Sequence, residues 1–288
     1  MSTLIIGLSL GMLLFLLASG LTLIFGMLGV INFAHGALYM LGAYIAFDIG
    51  RHTGSFVAGL IGATVLVALA GALIERLALR PLYDRPHFYQ LILTFGVILV
   101  ISEVVKVVWG LGYQESTMPP ALAGTVDMFG STIPVYRLFV IGFGALVSGG
   151  LFLLIEKSTF GMLVRAASSD GEMVRLLGLP VASVRMAVFA LGSGLAGLAG
   201  LAGAIAAPLF PIELGMATNT IIDCFIVVIL GGLGNIRGAV AASLLIGLVR
   251  AIGYSYMPSW VDILTFSLLI ATLLTRPQGL FFRATRSA

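Results

Sequence analysis

Long apolar runs, interrupted by glycine, proline and small clusters of charge, set the pattern of this 288-residue chain. Nine runs approach the ~20 residues a helix needs to cross a bilayer. They fall near 4–25, 33–48, 56–74, 89–109, 137–155, 186–206, 218–231, 239–253 and 260–275. The second, seventh and eighth are short, as tilted, broken or re-entrant helices would be, so the pattern predicts eight to ten spans. The ~10-residue alternation of barrel strands is absent. The expectation is an all-α fold, a polytopic membrane helical bundle. It forms a single transmembrane domain over 1–288, with an outer loop near 110–136 and an inner loop near 156–185.

Composition agrees with the pattern. Apolar residues make up 60% of the chain and charged residues 9%, against about 25% charged in soluble domains, which need charge to cover their surface. The first run follows Met1-Ser-Thr with no Lys or Arg before it. That reads as a retained span, since a cleaved signal peptide has a basic leader.

Charge adds an orientation. Basic residues gather in alternate loops: Arg76, Arg80 and Arg85; then Lys157, Arg165, Arg175 and Arg185; then Arg237; then Arg276, Arg283 and Arg286 in the tail. These are eleven of the fifteen Lys and Arg residues. By the positive-inside rule they are cytoplasmic, with the N-terminus out and the C-terminus in. The loop at 110–136, carrying Glu115, Pro119, Pro120 and Asp127, is poor in basic residues and belongs outside.

The inner loop carries a helix signature. Ser169 with Glu172 three residues on is a capping-box spacing, Asp170 and Arg175 suit the two ends of a helix dipole, and Gly178-Leu-Pro180 supplies a stop. A short helix over about 170–177 is expected, with Met173, Val174 and Leu177 on one face. Such a helix is marginal in water by itself. Its apolar face needs the bilayer surface, its own bundle or a partner.

Chemistry is otherwise sparse. Cys224 is the only cysteine, which excludes an internal disulfide, and His35, His52 and His87 lie in different segments without metal-ligand spacing. No metal site is expected. A phosphate-binding loop needs Gly before Lys-Ser, whereas Glu156 precedes Lys157-Ser158. Ser193 lacks the upstream glycine of a nucleophile elbow. The small residues from 192 to 203 read instead as a close helix-packing surface. Glu103 and Lys106 form an i, i+3 pair. Asp223, Arg250 and Asp262 are expected towards the outer ends of their segments, where they can snorkel or pair. No mid-span carboxylate suggests a proton or sodium site, and no catalytic constellation is visible.

The stretch "GMLGVINFAHGALYMLGAY" (26–44) combines glycine breaks with Asn32 and His35 three residues apart. Irregular backbone at membrane depth must be buried or line a cavity. Asn32 and His35 either face a translocation pathway or bond the free backbone of the break and fix its shape. Asn219, Thr220 and Asn235 are further pathway candidates on the same reasoning. A weak internal echo links 28–37 with 230–239, each with a glycine break, an Asn and then Gly-Ala.

Three blocks resemble one family: "GLTLIFGMLGVINFAHGALYMLGAY" (20–44), "GMLVRAASSDGEMVRLLGLPV" (161–181) and "VILGGLGNIRGAVAASLLIG" (228–247). In this order they resemble the permease subunits of bacterial branched-chain amino acid ABC importers, the shorter of the two permease types, over essentially the whole chain. The resemblance implies a cytoplasmic-membrane protein working with two ATP-binding cassette subunits, a second related permease and an extracytoplasmic amino-acid-binding protein, and with no nucleic acid. ATP and Mg would belong to the ATPase subunits, with no cofactor on this chain. It also implies that the inner-loop helix couples to an ATPase, through Arg165, Ser169, Asp170, Glu172, Met173, Arg175, Leu177 and Gly178. In place of a clean Glu-Ala-Ala triplet the loop has "RAASSDGEMVRLLGLP". Ligands other than branched-chain amino acids (urea, short amides, other amino acids) stay open, as does an ion-coupled carrier.

Overall fold

A computed structural model describes residues 2–114, 118–128, 130–206 and 212–281. Glu115, Arg283 and Arg286, used above for orientation, lie outside the described residues. The helices are α1 (Ser2–Leu28), α2 (His35–Thr53), α3 (Phe56–Ile74), α4 (His87–Trp109), α5 (Val135–Phe152), α6 (Thr159–Ser169), α7 (Gly171–Leu176), α8 (Val181–Ala206), α9 (Met216–Gly231), α10 (Ile236–Tyr256) and α11 (Val261–Thr275). Among the described residues seven helices are long and apolar enough to cross a membrane. The other two of the nine expected segments are α2, which is less apolar, and α9, which has only 16 residues. The chain is a multi-pass membrane protein. It departs from all-α at a small hairpin in the 110–136 loop, where β1 (Thr125–Met128) pairs antiparallel with β2 (Ser131–Pro134), Val126 opposite Ile133. α3 and α5 each continue as a π-helical turn, Glu75–Leu79 and Leu153–Lys157.

α8 is the central post, packed on α1, α2 and α3. In hydrocarbon there is little hydrophobic drive between helices, so association depends on close van der Waals fit and small residues. α8 supplies that fit through its run of glycine and alanine. A Cβ added to Gly192 would stand 2.7 Å from the Gly20 carbonyl oxygen of α1, and one on Gly42 of α2 would stand 2.6 Å from the Gly197 carbonyl oxygen. α10 meets α1 in the same way, with a Gly11 Cβ falling 2.8 Å from Leu244 Cα. The packing surface expected at 192–203 is what the fold uses. α3, α4 and α11 instead expose aliphatic and aromatic faces, including Ile61, Leu69, Ile92, Phe95, Leu99, Ile270 and Leu274.

The polar ends of the helices collect at one end of the bundle. Leu23 and Met27 of α1 pack with Val164 of α6, Val174 of α7 and Val181 and Val184 of α8. Glu156 pairs with Arg237 at 3.3 Å, and the Leu280 amide donates to the Leu230 carbonyl at 2.9 Å. The described loops that carry these basic groups therefore meet at one end.

The contact geometry makes glycine substitutions graded. Gly42→Val has only the Gly197 backbone to push against and should cost about 1–3 kcal/mol, read as a lower thermal midpoint of the purified protein in detergent. Gly96→Ala on the open face of α4, where an added Cβ meets nothing within 4 Å, should leave the midpoint unchanged.

Candidate coupling and translocation sites

α6 and α7 are built as one fixed element. Ser158 opens α6, its hydroxyl accepting the Gly161 amide at 3.0 Å. α6 runs on through Ser169, whose hydroxyl donates back to the Arg165 carbonyl at 3.1 Å. The cap of α7 is therefore Asp170 and not Ser169. The Asp170 carboxylate accepts the Met173 amide at 2.8 Å, and Asp170 leaves helical geometry at φ −152°, ψ 85°. The expected capping box is displaced by one residue because α6, absent from the sequence reading, already holds Ser169 in a helix. The C-terminal signal holds as read. Gly178 takes φ +79°, its amide donates to Arg175 at 3.0 Å, and Leu179 donates to Val174 at 3.3 Å. These two bonds are the Schellman pair, and Pro180 follows.

The apolar positions of α7 divide. Val174 is buried against α1, α6 and α8. Met173 and Leu177, expected on its face, are exposed, and so are Leu176 and Met162 of α6. With six residues α7 is too short to bury more than one side chain and still lie at the edge of the bundle. Arg165, Ser169, Asp170, Glu172, Arg175 and Gly178 are also exposed. Arg165 turns its guanidinium to the Ile155 carbonyl, tying α6 to the end of α5. All eight residues expected at the coupling site thus lie together on one surface.

A buried carboxylate beside this element was not singled out in the sequence. Glu75 is fully buried at the π-helical turn. It accepts from Arg80 Nη2 at 3.1 Å and from the Tyr83 hydroxyl at 3.0 Å. Arg80 also donates to the Ala182 carbonyl at 3.3 Å, and the Arg185 guanidinium lies 4.8 Å above the Tyr83 ring. Burial and the adjacent Glu75 carboxylate hold the Tyr83 phenol well above its ordinary range. The spacing Glu75…Arg80…Tyr83 at the end of an apolar run was the available signal. It reads as loop charge until α8 is known to cover it.

The break at 29–34 is non-helical and half enclosed, with Val30, Asn32 and Ala34 buried and Gly29 and Ile31 exposed. Gly29 turns the chain at φ +65°. The Asn32 side-chain oxygen accepts the Ala34 amide at 3.1 Å, opening α2. The His35 Nε2 lies 2.8 Å from the Leu17 carbonyl of α1; a carbonyl only accepts, so this nitrogen carries the proton. From Leu28 the chain has therefore returned to the level of Leu17, about 16 Å up α1 at 1.5 Å per residue. Asn32 and His35 are both wholly buried, and Asn32 Nδ2 and His35 Nδ1 have no hydrogen-bond partner. Asn235 goes further than Asn32 and caps its helix, α10, directly. Its Oδ1 accepts the Gly238 amide at 3.1 Å and its Nδ2 donates to the Phe281 carbonyl at 3.1 Å. The two echoing breaks are also neighbours, since a Gly26 Cβ would stand 2.9 Å from Gly234 Cα. Asn219 is exposed on α9, and Thr220 is half-buried.

One expectation is corrected. Asp223 does not lie towards an end of its helix, whereas Arg250, in the last third of α10, and Asp262, in the first turn of α11, do. Asp223 is the eighth residue of the 16-residue α9, and it holds Arg250 of α10 through two hydrogen bonds of 2.6 and 2.5 Å.

A bundle of apolar helices with a buried mid-depth break and an exposed capped helix pair at one end defines a membrane transport component. The chain belongs to the family described as branched-chain amino acid transport system, permease component, matching it over residues 3–273. It is 31% identical to the high-affinity branched-chain amino acid transport permease BraD of Pseudomonas aeruginosa, with 96% of this chain and 94% of the relative covered. It is also 31% identical to LivH of Escherichia coli K12 over the same shares. A probable LivH of Methanocaldococcus jannaschii is 30% identical over 93% of this chain and 88% of its own. No solved structure matches significantly.

The corrected cap gives a discriminating pair of variants. Asp170→Ala should cost α7 about 1 kcal/mol, the usual value of a lost N-cap, and speed amide exchange over 171–176. Ser169→Ala should leave that exchange unchanged.

Proposed function

We propose that this chain acts as one transmembrane domain, half of the channel of an ATP-driven importer for branched-chain or related neutral amino acids. The observation that carries the reading is the α6–α7 element. Its far side is locked to the bundle through Val174, and its near side presents Met173, Leu176 and Leu177 to water, rimmed by Arg165, Asp170, Glu172 and Arg175. An exposed apolar patch with a charged rim is a docking surface, and here it fits a groove on an ATPase subunit. Relatives named as high-affinity branched-chain amino acid transport permeases support the substrate class.

On this reading two ATPase subunits dock at the end rich in basic residues, which is cytoplasmic by the positive-inside rule. The N-terminus is then outside and the C-terminus inside. ATP and Mg bind the ATPases and no cofactor binds this chain. A second, related permease completes the channel and an extracytoplasmic binding protein delivers the ligand. Asn32, His35 and Asn235 shape the breaks in the helices, while Asn219 and Thr220 of α9 border the pathway. An ion-coupled carrier would want a carboxylate free to take a proton or sodium. The described mid-depth carboxylate, Asp223, is already matched by Arg250.

The test is Met173→Asp with Leu177→Asp, which keeps Val174, the Asp170 cap and Gly178. The expected outcome is normal accumulation in the membrane, loss of copurifying ATPase and loss of L-leucine uptake. Retained ATPase binding and normal uptake would overturn the reading.

A further inference from the structure

The ion pair between α9 and α10 sits where charge is costly. Gly231 packs on Ala239, so the two helices are level there. Asp223 lies eight residues before Gly231 and Arg250 eleven after Ala239. At 1.5 Å per residue these are about 12 and 16 Å from that level, which is the centre of a ~30 Å hydrocarbon core when the turn between α9 and α10 is taken as its inner edge. The pair is not sealed: the side chains keep 24% and 16% of their exposure. On the same face of α9, one turn away, Asn219 is exposed, with Thr218 and Ile222 beside it. The Arg250 Nε is buried and makes no hydrogen bond.

The lipid-facing helices show what hydrocarbon tolerates. On the first half of α4 the exposed positions include Ile92, Phe95 and Leu99, whereas Gln90 and Thr94 are turned inward and buried; the exposed pair Glu103–Lys106 of the same helix lies towards its end. The α9 stripe breaks that rule. A partly open charge pair and an exposed amide at mid-depth face water or a polar occupant, since ionisable groups inside membranes face bundle interiors or aqueous cavities.

We propose that Arg250, Asp223 and Asn219 form a contact site on the translocation pathway for the two charged ends of a zwitterion. The guanidinium fork that fits the Asp223 carboxylate fits an α-carboxylate equally well. Asp223, released by that exchange, accepts the α-ammonium, and the Asn219 amide has both donor and acceptor to offer. A resting pair of one acid and one base keeps the site neutral when empty and neutral when occupied. That condition is met by amino acids with uncharged side chains. The proposal rests on the amino-acid import reading above, and it adds residues and chemistry to it.

Two measurements test it on the assembled transporter. In a Cys224→Ala background, Asn219→Cys and Ile222→Cys should react with a charged, membrane-impermeant thiol reagent. Ile92→Cys on the lipid face should not. Unreactive 219 and 222 positions would mean protein or lipid covers the stripe and would overturn the site, whatever the ligand is. The second measurement separates a binding site from a brace. Exchanging the charges, Asp223→Arg with Arg250→Asp, keeps an ion pair, so a brace would keep L-leucine uptake. A zwitterion contact predicts normal accumulation and copurification of the ATPase, with uptake about tenfold lower or worse, the scale of one charge-assisted contact. If the exchanged protein fails to accumulate, Asp223→Asn with Arg250→Gln takes its place under the same criterion. Normal uptake in either would overturn the proposal. Absence of leucine uptake in the unmodified transporter would instead fault the import reading and leave the thiol result standing.

Discussion

The backbone-to-backbone approach of α8 to α1 and α2 is the contact on which the rest depends. Gly192 against Gly20 and Gly197 against Gly42 bring helices together at distances a Cβ would forbid. In a bilayer, where apolar side chains gain nothing by leaving lipid for one another, such close fit is the main attraction available. It also creates the dry interior that a helix break demands. His35 could not reach the Leu17 carbonyl if α1 carried a side chain at position 20, because an added Cβ there would stand 2.8 Å from His35 Cε1.

The break and the helix ends follow one rule, that every backbone group at depth needs a partner. Asn32 and Asn235 both meet it with a side-chain oxygen, Asn32 on the Ala34 amide of the turn before α2 and Asn235 on the Gly238 amide in the first turn of α10. Gly29, Gly178, Gly232 and Gly234 adopt positive φ at the same end of the bundle, where the chain must turn sharply. Charge obeys the rule too. Glu75 is wholly buried yet has Arg80 and Tyr83; Asp223 has Arg250.

Much of this was legible in the sequence. Each of the nine apolar runs is a helix, and the small-residue run at 192–203 is the packing surface it resembled. The stop at Gly178-Leu-Pro180 formed as written because it is a local signal: a positive-φ glycine and a proline act through their own residue. What escaped was non-local. Asp170 displaced Ser169 as the cap because α6 extended to meet it, and no capping rule knows where a preceding helix stops. Glu75 was not singled out because its burial depends on packing with α8, more than a hundred residues later. Asp223 lies at the middle of α9 and is held by Arg250 of α10, a partner that no reading of its own apolar run supplies.

The position of α7 limits how it can act on the bundle. Leu177 to Pro180 join it to α8, and within that link Gly178 is held by the Schellman bonds while Pro180 fixes its own φ. Val174 is clamped between α6 and α8, and the start of α8 is pinned again where Arg80 meets the Ala182 carbonyl. A displacement of α7 therefore has little slack to absorb it before reaching α8. α8 in turn touches α1 at Gly20, where His35 docks, and α2 at Gly42. Tightly packed helices of this kind move by shear or rigid rotation, because close-packed interfaces do not deform continuously. The same glycines that permit the break thus make α8 a stiff connection between the exposed α6–α7 surface and the described non-helical backbone that runs back along α1.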